Sequence, residues 1–327
     1  MGECAKSVLP CCWIYQKADY RKKVDTRSAE GIEHMERMKA FLKRISLKTG
    51  LLMALLLAGI VFVGKPENVS AQTGYKEMTL SNESSTKIGK YYFKYENHKI
   101  AMSNRKNGGY TATSIEYGAF ANATQAIYLR DNVVYKYIFS KKKESKLVTL
   151  EELDDPDMDM YSIGTVYGKY VYINEDSYSK GAVITYAYDM NSKKIKKVIS
   201  NGSIDEGHGK YLIVQNEWSI EVSPISKSIY KITNKGIKKV KTLSDFCGAA
   251  SFVGDKIYYV CYPSGTEMRK AIMYKCDLDG SNKKKVASFS ADSGNIIVSD
   301  IGAKECTVYK NWTGYKYTYA TKKYVQF

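Results

Sequence analysis

The sequence predicts an all-β fold, a β-propeller of about six four-stranded blades preceded by a signal-peptide helix, and three observations carry that prediction. The first is a recurring turn glycine followed by an apolar, aromatic run: GKYYFKY (89–95), GKYVYI (168–173), GKYLIV (209–214), GDKIYYV (254–260) and GNIIV (294–298). Such runs read as strands entered from a turn. Successive glycines lie 79, 41, 45 and 40 residues apart, and AIYL (126–129), near the middle of the long first interval, reads as a repeat lacking its glycine. The second observation is a tyrosine register: Tyr186, Tyr230, Tyr274 and Tyr317 are spaced by 44, 44 and 43. The first three open a strand, a polar turn and a return strand (YAYDMNSKKIKKV, YKITNKGIKKV, YKCDLDGSNKKKV), and YKYIFSKKKESKL (135–147) has the same form. The third is period-two alternation of Tyr, Val and Ile with Lys, Ser and Thr, without the helical period that solenoids of similar repeat length would show.

A repeat in the low forties with four short strands is the spacing of a propeller blade. From Gly89 to Phe327 there is room for about six blades of ~40–45 residues; the first two repeats are blurred, so five is the alternative count. Of the 29 tyrosines, 27 follow residue 71. Their rings suit the space between stacked sheets while the hydroxyls reach the wet rim.

Ahead of the repeats, Leu51 to Val63 is a run of thirteen uncharged residues preceded by Arg37, Lys39, Lys43, Arg44 and Lys48 and followed by Val69-Ser70-Ala71 before Gln72. A basic region, a short apolar region and small residues at −3 and −1 are the features of a cleaved export signal, with the cut between Ala71 and Gln72. Thirteen residues are short of the roughly 20 that span a bilayer, so an uncleaved anchor over 51–63 with the domain outside is the alternative. The expected organisation is an over-extended or disordered N-terminus over 1–34, a signal peptide over 35–71, a linker over 72–85 and the propeller over 86–327. Glu30-Gly31, encoded by GAR-GGN, would place a purine-rich run just upstream of the Met35 codon. Removing residues 1–71 leaves 38 Lys and Arg against 27 Asp and Glu, a net +11. That excess favours an extracellular protein or an anionic cell-wall or glycan polymer as partner. Nucleic acid is not expected, because the lysine clusters (141–143, 193–194, 196–197, 238–239, 283–285) are scattered over presumed hairpin turns and form no stripe.

One segment carries a family resemblance. In GDKIYYVCYPSGTEMRKAIMYKCDLDGSNKKKV (254–286), Gly254, Ile257, Tyr258, Tyr259, Tyr274, Asp277, Asp279, Gly280, Ser281, Asn282 and Lys284 match the pattern of a blade that resembles the low-density-lipoprotein-receptor-type propeller of secreted bacterial proteins. The match is partial at 168–198 and 209–240 and faint before 160. The Tyr-Trp-Thr-Asp signature of that family is absent, Trp312-Thr313 being only an echo. The resemblance implies a propeller and no particular activity.

Motifs for chemistry are sparse. Asp277 to Asn282 has the first half of a calcium loop but lacks the later Glu, and Asp-Gly between strands reads first as a tight turn. EELDDPDMD (151–159) reads as an exposed acidic loop. His98 and His208 stand in turn contexts, no Gly-x-Ser-x-Gly elbow is present, and Ser84-x-x-Lys87 and Ser177-x-x-Lys180 lack companion motifs. The four cysteines after residue 71 are Cys247, Cys261, Cys276 and Cys306, with Cys261–Cys276 the first choice for a disulfide and free thiols the alternative. Tyr178, Trp218 and Trp312, in presumed loops, are the ligand-binding candidates. No cofactor is expected. The resulting expectation is an exported, non-catalytic binding or scaffold module; its alternatives are a propeller enzyme acting on glycans, with Asp and Glu from several blades meeting at the axis, or a tethered sensor.

Overall fold

The turn glycines do what a turn requires of them. Gly89, Gly168, Gly209 and Gly254 sit at φ of 60°, 60°, 57° and 62°, where a side chain would be strained, and each opens the second strand of its blade. In the computed structural model the described residues are 74–327 apart from 81–83, 97, 178, 180, 218–224 and 264–267. The segment expected to be a signal, with Ala71 and Gln72, and the candidates Tyr178 and Trp218 lie outside them.

Strand β1 (Lys76–Glu77) comes first, within the span expected as a linker. The first blade is β2 (Thr86–Ile88), β3 (Tyr91–Glu96), β4 (Lys99–Ser103) and β5 (Thr111–Ala112). The second is β6 (Phe120–Ala121), β7 (Gln125–Arg130), β8 (Val133–Ile138) and β9 (Lys143–Thr149), with β1 added to the free edge of β6. The third is β10 (Asp159–Tyr167), β11 (Tyr170–Ser177), β12 (Ala182–Asp189) and β13 (Lys194–Ile199). β14 (Ser203–His208), β15 (Tyr211–Gln215), β16 (Ile225–Thr233) and β17 (Gly236–Val253) form the fourth. β17 runs on without a break: residues from Gly236 to Cys247 pair with β16, and those from Cys247 to Val253 pair with β18 (Lys256–Cys261). Its second half is therefore the inner strand of the fifth blade, which continues with β19 (Lys270–Asp277) and β20 (Lys284–Ser290). The sixth is β21 (Ile296–Ser299), β22 (Glu305–Lys310), β23 (Thr313–Thr318) and β24 (Lys323–Gln326). All pairings are antiparallel, and the blade count is six.

Period-two alternation sends each face of a blade to a different neighbour. Val171 and Ile173 of β11 pack with Val134 of the second blade, whereas Tyr172 between them packs with Leu212 and Val214 of the fourth. Apolar clusters of this kind fill each space between consecutive blades from the first to the sixth. Among the described residues, no such cluster joins the sixth blade to the first.

Two sequence expectations shift here. Gly294 has φ of 71° but precedes the inner strand β21; the second strand of the sixth blade is Glu305–Lys310. The lysine runs belong mainly to the fourth strands: Lys194, Lys196 and Lys197 are exposed on β13, Lys238 and Lys239 on β17, and Lys284 and Lys285 on β20. Charged outer strands keep sheet edges from pairing with other chains, which accounts for lysine at these positions.

Candidate functional site

A bulge decides where the acids of the fourth blade point. β14 pairs with β15 so that Ile204 faces Val214 and Glu206 faces Ile213, leaving Asp205 without a place in the ladder. One extra residue reverses the alternation beyond it. Ile204 thus follows Val214 into the cluster against the third blade, while Glu206 goes to the other side, where its Oε2 accepts the Phe252 backbone N–H of the fifth blade's inner strand at 3.2 Å. The inner strand β10 of the third blade is bulged at the matching place, between Ile163 and Thr165.

The bulge is clamped by Asn174 of β11, a buried side chain. Its Nδ2 donates to the Ile204 carbonyl at 2.9 Å and to Ser162 Oγ at 3.3 Å; its Oδ1 accepts the Ile204 N–H at 2.9 Å and the Thr185 hydroxyl at 3.1 Å. The single Thr185 hydroxyl proton is shared with the Gly202 carbonyl, at 2.8 Å. The strand carrying Asp205 and Glu206 is therefore held by the neighbouring blade through its backbone, so the two carboxyl groups have a fixed base.

Around them stand Lys227, Asp176 and Glu77. Lys227 of β16 forms a salt bridge with Asp205, its side chain only 9% exposed. The Asp176 carboxyl, near the end of β11, accepts the Ser203 hydroxyl on Oδ2 at 3.4 Å, and its Oδ1 is buried with no hydrogen-bond partner. Burial raises the Asp176 pKa; Ser203 works against the rise, and the charges of Asp205 and Glu175 add to it. Burial likewise raises Glu206, opposed by bonds from Ser251 and the Phe252 amide and reinforced by Asp205 and Glu77. Glu77, on the strand added to the axial edge of the second blade, is raised by desolvation. Glu175 accepts the Tyr186 hydroxyl at 2.8 Å. Asp176 near the end of β11, Asp205 and Glu206 of β14 and Glu77 of β1 thus lie near enough to act on one another's charge. Neighbouring Asp205 and Glu206 differ in kind: one is paired with an ammonium, the other is biased toward its neutral acid. Two carboxyl groups in contrasting environments are the usual basis for dividing base and acid roles.

The residues singled out from sequence fare differently. Trp312 lies in the turn between β22 and β23, with Asn311 and Trp312 at φ of 49° and 67°, and is 82% exposed. The expected Cys261–Cys276 bridge is corrected: β18 and β19 set Cys261 against Ile272 and Cys276 against Ile257. Four ladder steps of ~3.3 Å separate them, well beyond the reach of a disulfide. Both thiols are free. In the Asp277 loop the carboxylates are taken up by the turn itself, Asp277 by Lys256 at 2.8 Å and Asn282 at 2.7 Å, Asp279 by the Ser281 amide at 2.9 Å. Asp159, expected in an exposed acidic loop, is instead the buried first residue of β10 and accepts the Ser179 hydroxyl at 2.6 Å and amide at 3.0 Å. Burial opposes its charge, but these bonds, with Ser177 and the Asp155 backbone, prevail and lower its pKa to about 2. Among the described residues, no group of three or more His, Cys, Asp or Glu is placed to hold a metal ion.

Motif reading missed Asp176, Asp205, Glu206 and Lys227, although one signal was available. Counting back four residues from the turn glycines Gly168, Gly209 and Gly254 reaches Gly164, Asp205 and Ala250. An acid thus stands where the neighbouring repeats carry a small residue, and such a substitution within a repeat marks a position released from packing.

No protein-family model matches the chain, and no curated protein matches it in sequence. Among solved structures it is similar to an oligogalacturonate lyase from Vibrio parahaemolyticus (TM-score 0.48, 10% identity, 78% of this chain and 78% of that one). TolB from Acinetobacter baumannii is also similar (TM-score 0.38, 14% identity, 79% and 64%), as is a post-proline cleaving enzyme from Rickettsia typhi (TM-score 0.43, 14% identity, 77% and 44%). The expectation of a non-catalytic module without enzyme activity is corrected: enzymes stand among these structures. At such identities and TM-scores the likeness carries no activity over to this chain, so the nature of any reaction is argued from the residues.

Proposed function

We propose that the chain is a propeller enzyme that cleaves glycans by acid–base chemistry at the inner strands of the fourth blade. The observation that carries this is the pair Asp205 and Glu206, adjacent on the bulged strand, one salt-bridged to Lys227 and the other raised toward its neutral form by burial and by the charges of Asp205 and Glu77. Glu206 donates a proton to the leaving sugar oxygen. Asp205, oriented by Lys227, serves as the base, taking its proton either from an attacking water in a hydrolysis or from the sugar ring in an elimination. A positioned acid–base group contributes about 10²- to 10⁴-fold to the rate. The net +11 of the chain after residue 71 favours an anionic glycan.

Trp312 and Tyr309 beside Ile297 and Asn311 line a cavity of about 200 Å³ on the sixth blade. We read it as an accessory platform on which a sugar ring stacks. Export through the 35–71 segment would bring the enzyme to wall or extracellular polymers, and the receptor-type character of the 254–286 blade belongs with this reading of a secreted protein.

The test is incubation of the full-length chain with neutral and uronic-acid-containing polysaccharides, following reducing ends and the ultraviolet absorbance of unsaturated sugar ends. Turnover that falls about 10²-fold or more in Glu206→Gln is expected. The absence of either product across the panel, or undiminished turnover in Glu206→Gln, overturns the proposal.

A further inference from the structure

Cys247 and Cys261 are direct cross-strand partners at the point where β17 passes from the fourth blade into the fifth. The neighbouring pair is hydrogen-bonded, with the Tyr262 N–H donating to the Phe246 carbonyl at 3.0 Å. By the alternation of an antiparallel ladder, Cys247 and Cys261 then occupy a non-hydrogen-bonded position, where Cα atoms approach to about 4.5 Å and side chains lie on the same face. That separation falls inside the range of about 4.4–6.8 Å found across disulfides. Cys276 and Cys306 are buried on other strands, and the register already separates Cys276 from Cys261.

We infer that Cys247 and Cys261 form a cross-strand dithiol that closes to a disulfide, locking the inner strand of the fifth blade to its second strand. In the free form the Cys247 thiol donates weakly to the Ala249 carbonyl at 3.8 Å, a contact that a turn about χ1 breaks. The ladder is bulged just beyond it, between Cys247 and Ala250, which leaves the local backbone room to adjust. Closure is a thiol–disulfide exchange with a protein or small-molecule disulfide. The Cys261 thiolate, the more exposed of the two, attacks one oxidant sulfur and expels the other as a thiolate. The Cys247 thiolate then attacks Cys261 Sγ in the mixed disulfide, releasing the second oxidant thiolate. Two protein thiols are oxidised by two electrons and lose two protons, and one oxidant disulfide is reduced to two thiols. Burial raises both thiols, Cys247 to about 12, so the exchange accelerates as the pH is raised.

The inference does not depend on the proposed glycan chemistry. Its test is treatment of the native full-length chain with oxidised glutathione at mildly alkaline pH, then alkylation, proteolysis and mass mapping under non-reducing conditions. A peptide pair joined through Cys247 and Cys261 is expected, along with a rise in Tm of roughly 6–12 °C for a closed loop of this length. Both should be lost in Cys261→Ser. In a second variant, Cys276→Ser with Cys306→Ser, the same link should persist. Recovery of Cys247 and Cys261 as separately alkylated peptides after an exchange that oxidises the urea-unfolded chain overturns the inference, as does a link through Cys276.

Discussion

Replacing Asn174 by alanine removes the clamp between the third and fourth blades without touching a carboxyl group. The side chain is 2% exposed and makes four hydrogen bonds, two of them to the backbone of Ile204. Thr185 keeps its bond to the Gly202 carbonyl, so its hydroxyl is not orphaned. The Ile204 N–H, by contrast, is left in a dry space, and a buried polar group without a partner costs about 1–3 kcal/mol. With the lost carbonyl bond and the small void, the expected loss is about 2–4 kcal/mol. In a chain of this size that lowers Tm by roughly 5–15 °C. Thermal and urea unfolding followed by near-ultraviolet circular dichroism reads this directly. Asn174→Asp sets a buried carboxylate oxygen against the Ile204 carbonyl that Nδ2 served, and should cost at least as much as the alanine. A loss below about 0.5 kcal/mol, the size of an ordinary surface substitution, would refute the assignment of this network as the clamp.

Other consequences follow from the same inner strands. A Cβ on Gly207 would lie 2.5 Å from Thr165 Oγ1 and 2.8 Å from its Cβ, so Gly207→Ala should cost about 1–3 kcal/mol and the overlap should be relieved only when Thr165→Gly removes both atoms; a purely additive pair in urea titrations would contradict this. Asp159 has a folded pKa of about 2, below its unfolded value, so its contribution is present above about pH 4 and is lost as the pH falls toward 2; the difference in urea midpoint between wild type and Asp159→Asn should be constant at neutral pH and vanish over that window. For Glu206 the sign is opposite. A carboxyl raised on folding destabilises the native state as the pH climbs above the unfolded value, so Glu206→Gln should gain stability over wild type between pH 4 and 7 while losing activity; a gain that shrinks with pH would contradict it.

The architecture was legible because it depends on local rules repeated many times. A glycine tolerant of positive φ marks the turn at 89, 168, 209 and 254, and tyrosines 186, 230, 274 and 317 each fall on the third strand of a blade. Gly294 misled because a positive-φ glycine before the first strand looks the same in sequence as one before the second. The lysines misled for a related reason: a polar run between two apolar strands reads as a turn, whereas the opening half of an outer strand lies exposed and can carry lysines in succession. The candidate site was largely hidden. Asp176, the adjacent pair Asp205 and Glu206, and Glu77 come from three separate stretches and meet only through blade stacking, and the direction of Glu206 depends on one unpaired residue in the β14 ladder. The exposed aromatics visible in the sequence could be named, yet exposure at Trp312 does not place it among the acids.

The most direct test of the central claim is the pH dependence of kcat/KM for glycan cleavage by the wild-type chain and by Glu206→Gln. A bell is predicted for the wild type, with its alkaline limb set by a carboxyl group titrating above the ordinary glutamate range and absent from the residual activity of the variant. An alkaline limb that survives unchanged in Glu206→Gln would contradict the account, because the proton would then come from another group.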